Sequence, residues 1–327
     1  MDPVRFAVIG CGRIAQAHFD AIEACDEAVV AAVVEPRESA GRAFAEKHGC
    51  PWYPDINDAT FWDCFDAAVV CSPPNTHREI AGELITRGKH VLCEKPLTIR
   101  AERARELSDL AERHQCTLMM ASKFRYVEDV VEAKALLESG ALGTVVLYEN
   151  GFCAPVQMAG RWNANPAVSG GGVLIDNGSH SVDIARYLLG PFVDVKADAA
   201  LSIQGLPVED TIRLRFRSAG GVLGSVDLSW SLTKDTDYYI RIYGSEGELQ
   251  VGWKGSRFRR QGAEWNPFGS GYDKNAAFQA QLKNFIAVQR DEAEPLIRPE
   301  DAVAAVEIIE KAYQSVRHDA SAAVEVA

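Results

Sequence analysis

Along the first 120 residues, short apolar runs alternate with amphipathic stretches. Residues 5–10, 28–35, 66–72, 90–94 and 117–121 are apolar at nearly every position, the pattern of strands buried on both faces. Between them, 13–25, 38–48, 77–87 and 100–114 read as helices, and Gly49 and Gly88 lie just past two of these, where a left-handed cap is wanted. Strand, helix, strand repeated in this way predicts right-handed crossovers and a parallel sheet covered on both sides. After residue 122 the period changes to two. Ile212, Leu214 and Phe216 alternate with Arg213, Arg215 and Arg217, and Val226, Leu228, Trp230 and Leu232 with Ser225, Asp227, Ser229 and Ser231. Antiparallel strands with one apolar face follow from this, turned at Gly220-Gly221 and at 244–247. Helices are expected at 127–139, 275–290 and 299–317, and a frayed tail over the last ten residues. The fold class predicted is α/β, with a doubly wound parallel sheet over 1–121 and a second α/β domain over 122–327, unless a final helix packs back across that boundary.

Composition narrows the classes without choosing among enzymes. A chain of 327 residues exceeds one ordinary core, and 47% hydrophobic with 24% charged residues is globular. The net charge of −12 argues against nucleic acid or an anionic membrane as partner. Eight cysteines without a C-x-x-C pair, several in apolar runs, suit a reduced compartment. With no apolar run of spanning length and no room for a signal peptide before the first strand, a soluble cytoplasmic protein is expected.

The chemistry begins at "VIGCGRIAQAH", residues 8–18. Gly10 permits a tight turn after the first strand, Gly12 lets the backbone approach a pyrophosphate, and Ala15 lets the helix pack closely on the strand. Arg13 and Ile14 then put their N–H groups at the helix N-terminus, which favours anions. Glu35, at the end of the second strand, is placed to accept hydrogen bonds from ribose hydroxyls and to repel a 2′-phosphate, so NAD is the expected cofactor. Arg37 and Arg42 follow closely and leave NADP open: each is either a 2′-phosphate partner or a solvated charge.

In "HVLCEKPLT", residues 90–98, an apolar strand runs into Glu94, Lys95 and Pro96. The carboxyl edge of a parallel sheet is where ligands bind in this architecture, so Lys95 is a candidate for function, braced by Glu94. Ser72, Asn75 and His77 end the third predicted strand in the same way and are available to the nucleotide, with His77 alternatively a capping or packing residue. The second domain holds one dense polar cluster, residues 169–190. Asp176 and His180, four apart, face one crevice if a helix begins near residue 177, and a carboxylate beside an imidazole suits a general base. The alternative is Asp176 as a helix cap and His180 as a core residue. Gly170 to Gly172 allow a tight path beside a ligand or subunit, and Asp183 reads as buried and structural. No third ligand has metal spacing, so no metal is expected.

The glycine loop, the "EKP" element and "GGGVLIDNGSHSVD" together resemble the Gfo/Idh/MocA family of glucose–fructose oxidoreductase, inositol dehydrogenase and rhizopine catabolism proteins. The resemblance spans almost the whole chain. It implies a Rossmann domain followed by an α/β domain on an open, mostly antiparallel sheet whose exposed face carries homodimer or homotetramer contacts. It makes Lys95 the lysine beside nicotinamide and substrate hydroxyl, often with a cis Lys-Pro bond, and matches Asp176 and His180 to the family's active-site pair. Arg125, and Arg161 with Trp162, fall where members contact substrate. Asn177 and the segment 122–126 depart from the commoner pattern. The activity implied is NAD-dependent oxidation of a secondary alcohol on a sugar, sugar derivative or cyclitol, with His180 taking the proton, Asp176 orienting and Lys95 stabilising the oxygen. Rival readings on the same scaffold are an NAD-dependent glycosidase working by transient oxidation and a non-enzymatic cofactor-binding sensor. Lys123, Arg125, Arg161 and the stretch 256–260 are the cations available to a phosphorylated or nucleotide-linked substrate; they read equally as solvated faces or oligomer contacts, the reading taken for 256–260.

Overall fold

The computed structural model describes residues 2–234 and 236–321. The chain clusters into two compact units, one made of the residues up to Lys123 with Lys274–Val303, the other of Phe124–Asp273 with the chain from Ala304 onward.

The first unit strings together β1 (Val4–Ile9), α1 (Arg13–Glu23), β2 (Ala28–Val34), α2 (Glu38–His48), β3 (Trp52–Tyr53), β4 (Ala67–Val70), α3 (His77–Thr86), β5 (His90–Glu94), α4 (Ala101–Arg113) and β6 (Leu118–Ala121). All neighbours in its sheet pair in parallel, in the order β3-β2-β1-β4-β5-β6. The order reverses between β1 and β4, which opens a crevice beyond their carboxyl ends, the ligand-binding edge of such sheets. Most of the predicted continuous runs are buried as expected, with Phe6, Ala7, Val8, Val69, Val70, Val91, Leu92 and Cys93 all 0% exposed, but β2 is buried only over Ala32–Val34 and Val29 is 43% exposed. Gly49 and Gly88 adopt the left-handed conformation expected of helix caps, at φ 64° and 74°. Only the two-residue β3 lies outside the strands read from the sequence.

The second unit contains α5 (Glu128–Glu138), β7 (Val145–Cys153), α6 (Pro166–Ser169), α7 (Val173–Leu189), β8 (Phe192–Ala199), β9 (Thr211–Ser218), β10 (Leu223–Ser229), β11 (Tyr238–Gly244), β12 (Gly247–Gly252), β13 (Ser256–Arg260) and β14 (Asn266–Phe268). These strands form one open sheet in the order β14-β13-β12-β11-β7-β10-β9-β8, antiparallel throughout except for the β7–β10 pair. Period two holds as read: Ile212, Leu214 and Phe216 are buried, while Arg213 and Arg215 stand on the outer face, paired with Asp227 and Asp198 at 2.6 and 2.9 Å. α7 covers the inner face, and Gly178 brings it close, since a Cβ there would meet Leu228 at 3.0 Å.

Two helices complete the chain, α8 (Lys274–Gln289) and α9 (Pro299–Ser321). The sequence division falls near residue 122 and leaves open that a final helix packs back across it; Lys274–Val303 does cluster with the first unit. The reason is apolar: α8 buries Phe278 against His18 of α1 (ring centroids 4.8 Å) and Phe285 against Phe6 of β1 (6.0 Å). The tail read as frayed begins inside α9, and residues 322–327 lie outside the described residues. No helix among the described residues is long and apolar enough to cross a membrane.

Candidate active site

Each unit carries its own polar constellation. In the first, Gly10 takes φ 94° at the end of β1, and a Cβ there would meet the Cys71 and Ser72 backbone at 3.0 Å, so the turn is open only to glycine. Gly12, the N-cap of α1, differs: a Cβ would meet nothing within 4 Å, and no side chain caps the helix. Its first turn holds no acidic residue, so the free N–H groups of Arg13 and Ile14 and the helix dipole present an anion site of the kind a pyrophosphate occupies. Ala15 is fully buried, as close helix packing demands.

Glu35 follows β2 with its carboxylate buried. It accepts from the Cys11 N–H (3.0 Å), inside the glycine loop, and from the Arg37 N–H (3.1 Å), Nε (2.7 Å) and Nη2 (3.1 Å). Burial pushes this carboxyl up, but the guanidinium and the two backbone donors outweigh it and hold it below its ordinary value. The same burial and the neighbouring Glu35 raise the Cys11 thiol to about 12, so it stays protonated. Arg37 is therefore bound to Glu35, while Arg42 pairs with exposed Glu38 and stacks over Trp52.

Lys95 follows β5, joined to Pro96 by a cis peptide bond. Glu94 accepts from the Lys95 backbone N–H (3.2 Å) and from His18 Nε2 (2.8 Å). Burial raises the Glu94 carboxyl, yet His18, Lys95 and Lys123 together bring it below its usual value. Sequence reading passed over His18. Its signal was faint: a histidine on the stripe of α1 that also buries Ala15, Phe19 and Ile22. The structure also moves His77 out of the nucleotide set. It is 1% exposed, its Nε2 and Nδ1 facing the Ser72 and Pro96 carbonyls at 2.8 and 3.0 Å, so the ring ties the β4 end to the Lys95 turn. Burial lowers its pKa against the pull of those carbonyls. Ser72 receives a hydrogen bond from Thr76 Oγ1 (2.7 Å), and Asn75 is exposed.

In the second unit α7 begins at Val173, not near 177, so Asp176 and His180 both lie within it, one turn apart on one face. Gly172 is the N-cap in place of Asp176. The glycine run approaches the chain itself: a Cβ on Gly171 would lie 2.1 Å from the Tyr313 hydroxyl, and one on Gly172 2.0 Å from the Glu209 carbonyl oxygen. Glu209 takes the N–H groups of Gly172 and Leu174 and the Tyr313 hydroxyl, and so caps α7. Arg125 is 3% exposed and clasps Asp183, wholly buried, through Nε–Oδ2 (3.0 Å) and Nη2–Oδ1 (2.6 Å). The sequence offered Arg125 to a substrate; its place is an internal ion pair one turn beyond His180. Arg161 and Trp162 are exposed where a short 3-10 turn begins. In 256–260, Arg257 and Arg259 are held by Gln250 and Glu248 and stack on Trp265. No group of three or more His, Cys, Asp or Glu among the described residues is placed to hold a metal.

Comparison with known proteins agrees with this architecture. Residues 4–122 match the domain family described as "Oxidoreductase family, NAD-binding Rossmann fold", and 130–250 its GFO/IDH/MocA C-terminal domain. The chain is 29% identical over 325 residues to a rhizopine catabolism protein MocA of Rhizobium meliloti, covering 98% of this chain and 97% of the other. It is 26% identical to an inositol 2-dehydrogenase of Rhizobium meliloti, with 96% and 97% covered. Among solved structures, GenD2 from gentamicin A biosynthesis, in complex with NAD, superimposes with a TM-score of 0.86 at 28% identity, over 98% of this chain and 95% of that one. With the crevice of its parallel sheet, its uncapped glycine-loop helix and Glu35 all suited to a dinucleotide, the chain belongs to the Gfo/Idh/MocA family of NAD-binding oxidoreductases.

Proposed function

We propose that the protein is a dehydrogenase that oxidises a secondary alcohol of a sugar, sugar derivative or cyclitol, or reduces the matching ketone. The observation that carries this is the Asp176–His180 pair, one turn apart on a helix locked by Glu209 at its start and Arg125–Asp183 at its middle. The inositol 2-dehydrogenase relative supports the substrate class. NAD or NADP, when bound, supplies the acceptor for the hydride. In this reading His180 takes the hydroxyl proton as the C–O bond becomes a carbonyl, and Asp176 orients the ring or holds a neighbouring hydroxyl. Lys95 meets the negative charge developing on that oxygen, its backbone fixed by Glu94 and by His77 through Pro96. Arg161 and Trp162 are further substrate contacts in the proposal, whereas Arg125 acts on α7. A homo-oligomer through the outer sheet face is also proposed, because Leu147 and Leu223, register neighbours on β7 and β10, are each 44% exposed there. Nicotinamide absorbance with NAD or NADP and a panel of sugars and cyclitols tests the activity. Reduction that depends on one of them is expected; its absence for every polyol would remove the reading.

A further inference from the structure

An aromatic surface continues from His180 within the second unit. The imidazole meets Phe124 edge-on with ring centroids 5.1 Å apart, and Phe124 stacks on Tyr272 at 5.0 Å. Beyond Phe124, at 6.5 Å, stands Trp253, which also packs on Tyr239 (4.6 Å) and Phe152 (5.9 Å) and meets Tyr272 at 85°. Phe124, Phe152 and Tyr239 are buried, yet Trp253 is 39% exposed. Its indole is thus held by a ring cluster in a residue that stays partly exposed, one ring removed from the proposed base.

The position is rigidly built. Asp129, wholly buried at the start of α5, accepts from Ser256 Oγ and from the backbone N–H groups of Ser270 and Gly271 (3.1 Å each). That one carboxylate joins the strand just after Trp253 to the segment just before Tyr272. Gly271, at φ 91°, lies so close that a Cβ would sit 2.5 Å from the Trp253 carbonyl oxygen. Bracing of this kind is what a preorganised binding platform requires.

We propose that the indole of Trp253, flanked by Tyr272, receives the C–H face of a cyclic polyol whose hydroxyl is presented to His180. The inference rests on the dehydrogenase reading and names the substrate class more narrowly: a ring with an unbroken face of axial C–H bonds and its hydroxyls equatorial. Carbons bearing hydroxyls leave their C–H hydrogens slightly positive, and these complement the negative π face. An axial hydroxyl on that side would put an oxygen lone pair against the ring and lose contact.

Saturation-transfer NMR on the NAD-loaded protein, with scyllo-inositol, myo-inositol, D-glucose and D-galactose as probes, measures binding without requiring turnover. Rings with all hydroxyls equatorial should bind best, with saturation concentrated on the hydrogens of one face. Trp253→Ala should weaken binding about tenfold, and Trp253→Phe should recover it to within about threefold. NAD affinity should not change in either variant. Polyol binding indifferent to Trp253→Ala overturns the inference alone, as does a loss that Trp253→Phe fails to restore in a protein melting at the wild-type temperature. Failure of the wild type to bind any of the four rings overturns the inference, whereas the dehydrogenase reading is overturned only if no member of the wider panel drives nicotinamide reduction.

Discussion

Removing Arg125 leaves the Asp183 carboxylate buried with its principal counter-ion gone. The pair is made by two contacts, at 3.0 and 2.6 Å, between groups 3% and 0% exposed, so neither solvent nor salt can replace the lost cation. Breaking such a pair from one side costs about 3–5 kcal/mol, and the guanidinium's lost packing over Tyr187 (5.4 Å) adds to that. For a unit of this size each kcal/mol lowers the midpoint by about 2–4 °C, so Arg125→Ala should melt roughly 10 °C below the wild type. Asp183→Asn, which keeps an acceptor, should lose less. The decisive variant is Arg125→Met with Asp183→Leu, in which no charge remains to be desolvated, and it should regain most of the loss. Differential scanning calorimetry of the four proteins gives the comparison. A single Arg125→Ala costing under about 1 kcal/mol, or a double variant no better than the single, would refute the argument that an uncompensated buried charge is what destabilises.

Other expectations follow from the same geometry. Lys95→Ala should lower kcat about 10²- to 10³-fold with NAD affinity within about twofold of wild type, read from absorbance and from fluorescence titration; undiminished turnover would dismiss Lys95. Glu35→Gln should weaken NAD and, with Arg37 released from its carboxylate, favour NADP relative to the wild type, as the ratio of the two kcat/KM values will report; an unchanged ratio would argue against Glu35 as the ribose partner. Glu94 is held below its ordinary value of 4.5 in the folded state, so its contribution is complete above that value. It is lost as pH falls through the lower folded pKa, and the acid-unfolding limb below pH 4.5 should be shallower in Glu94→Gln. Equal slopes would show that other carboxylates govern the acid limb.

What the sequence could and could not reveal follows from the range of each interaction. The parallel sheet was legible because strands buried on both faces are apolar throughout, and the glycine loop because its demands fall within a few residues. β10 was read through Leu232 but ends at Ser229, whose hydroxyl takes the N–H groups of Ser231 and Leu232 and closes the strand despite continued alternation. Asp176 and His180 were legible as a spacing of four. Arg125 was not, since its partner lies 58 residues away, and a cation near a predicted site looks the same whether it faces a ligand or a core carboxylate. The glycines at 170–172 misled in a related way: a close approach is visible in composition, but not what approaches. α8 shows two phenylalanines without showing that they belong to β1 and α1.

That return of Lys274–Val303 to the first unit has a consequence during synthesis. About 150 residues separate it from Lys123, and at about 5–20 residues per second the ribosome needs roughly 8–30 s to supply them. Until then β1 and α1 have emerged while Phe278 and Phe285 have not, so the nascent sheet shows water the apolar surface that α8 will later cover. The glycine-loop half, first to be made, is thus the half that keeps apolar surface uncovered for longest during synthesis.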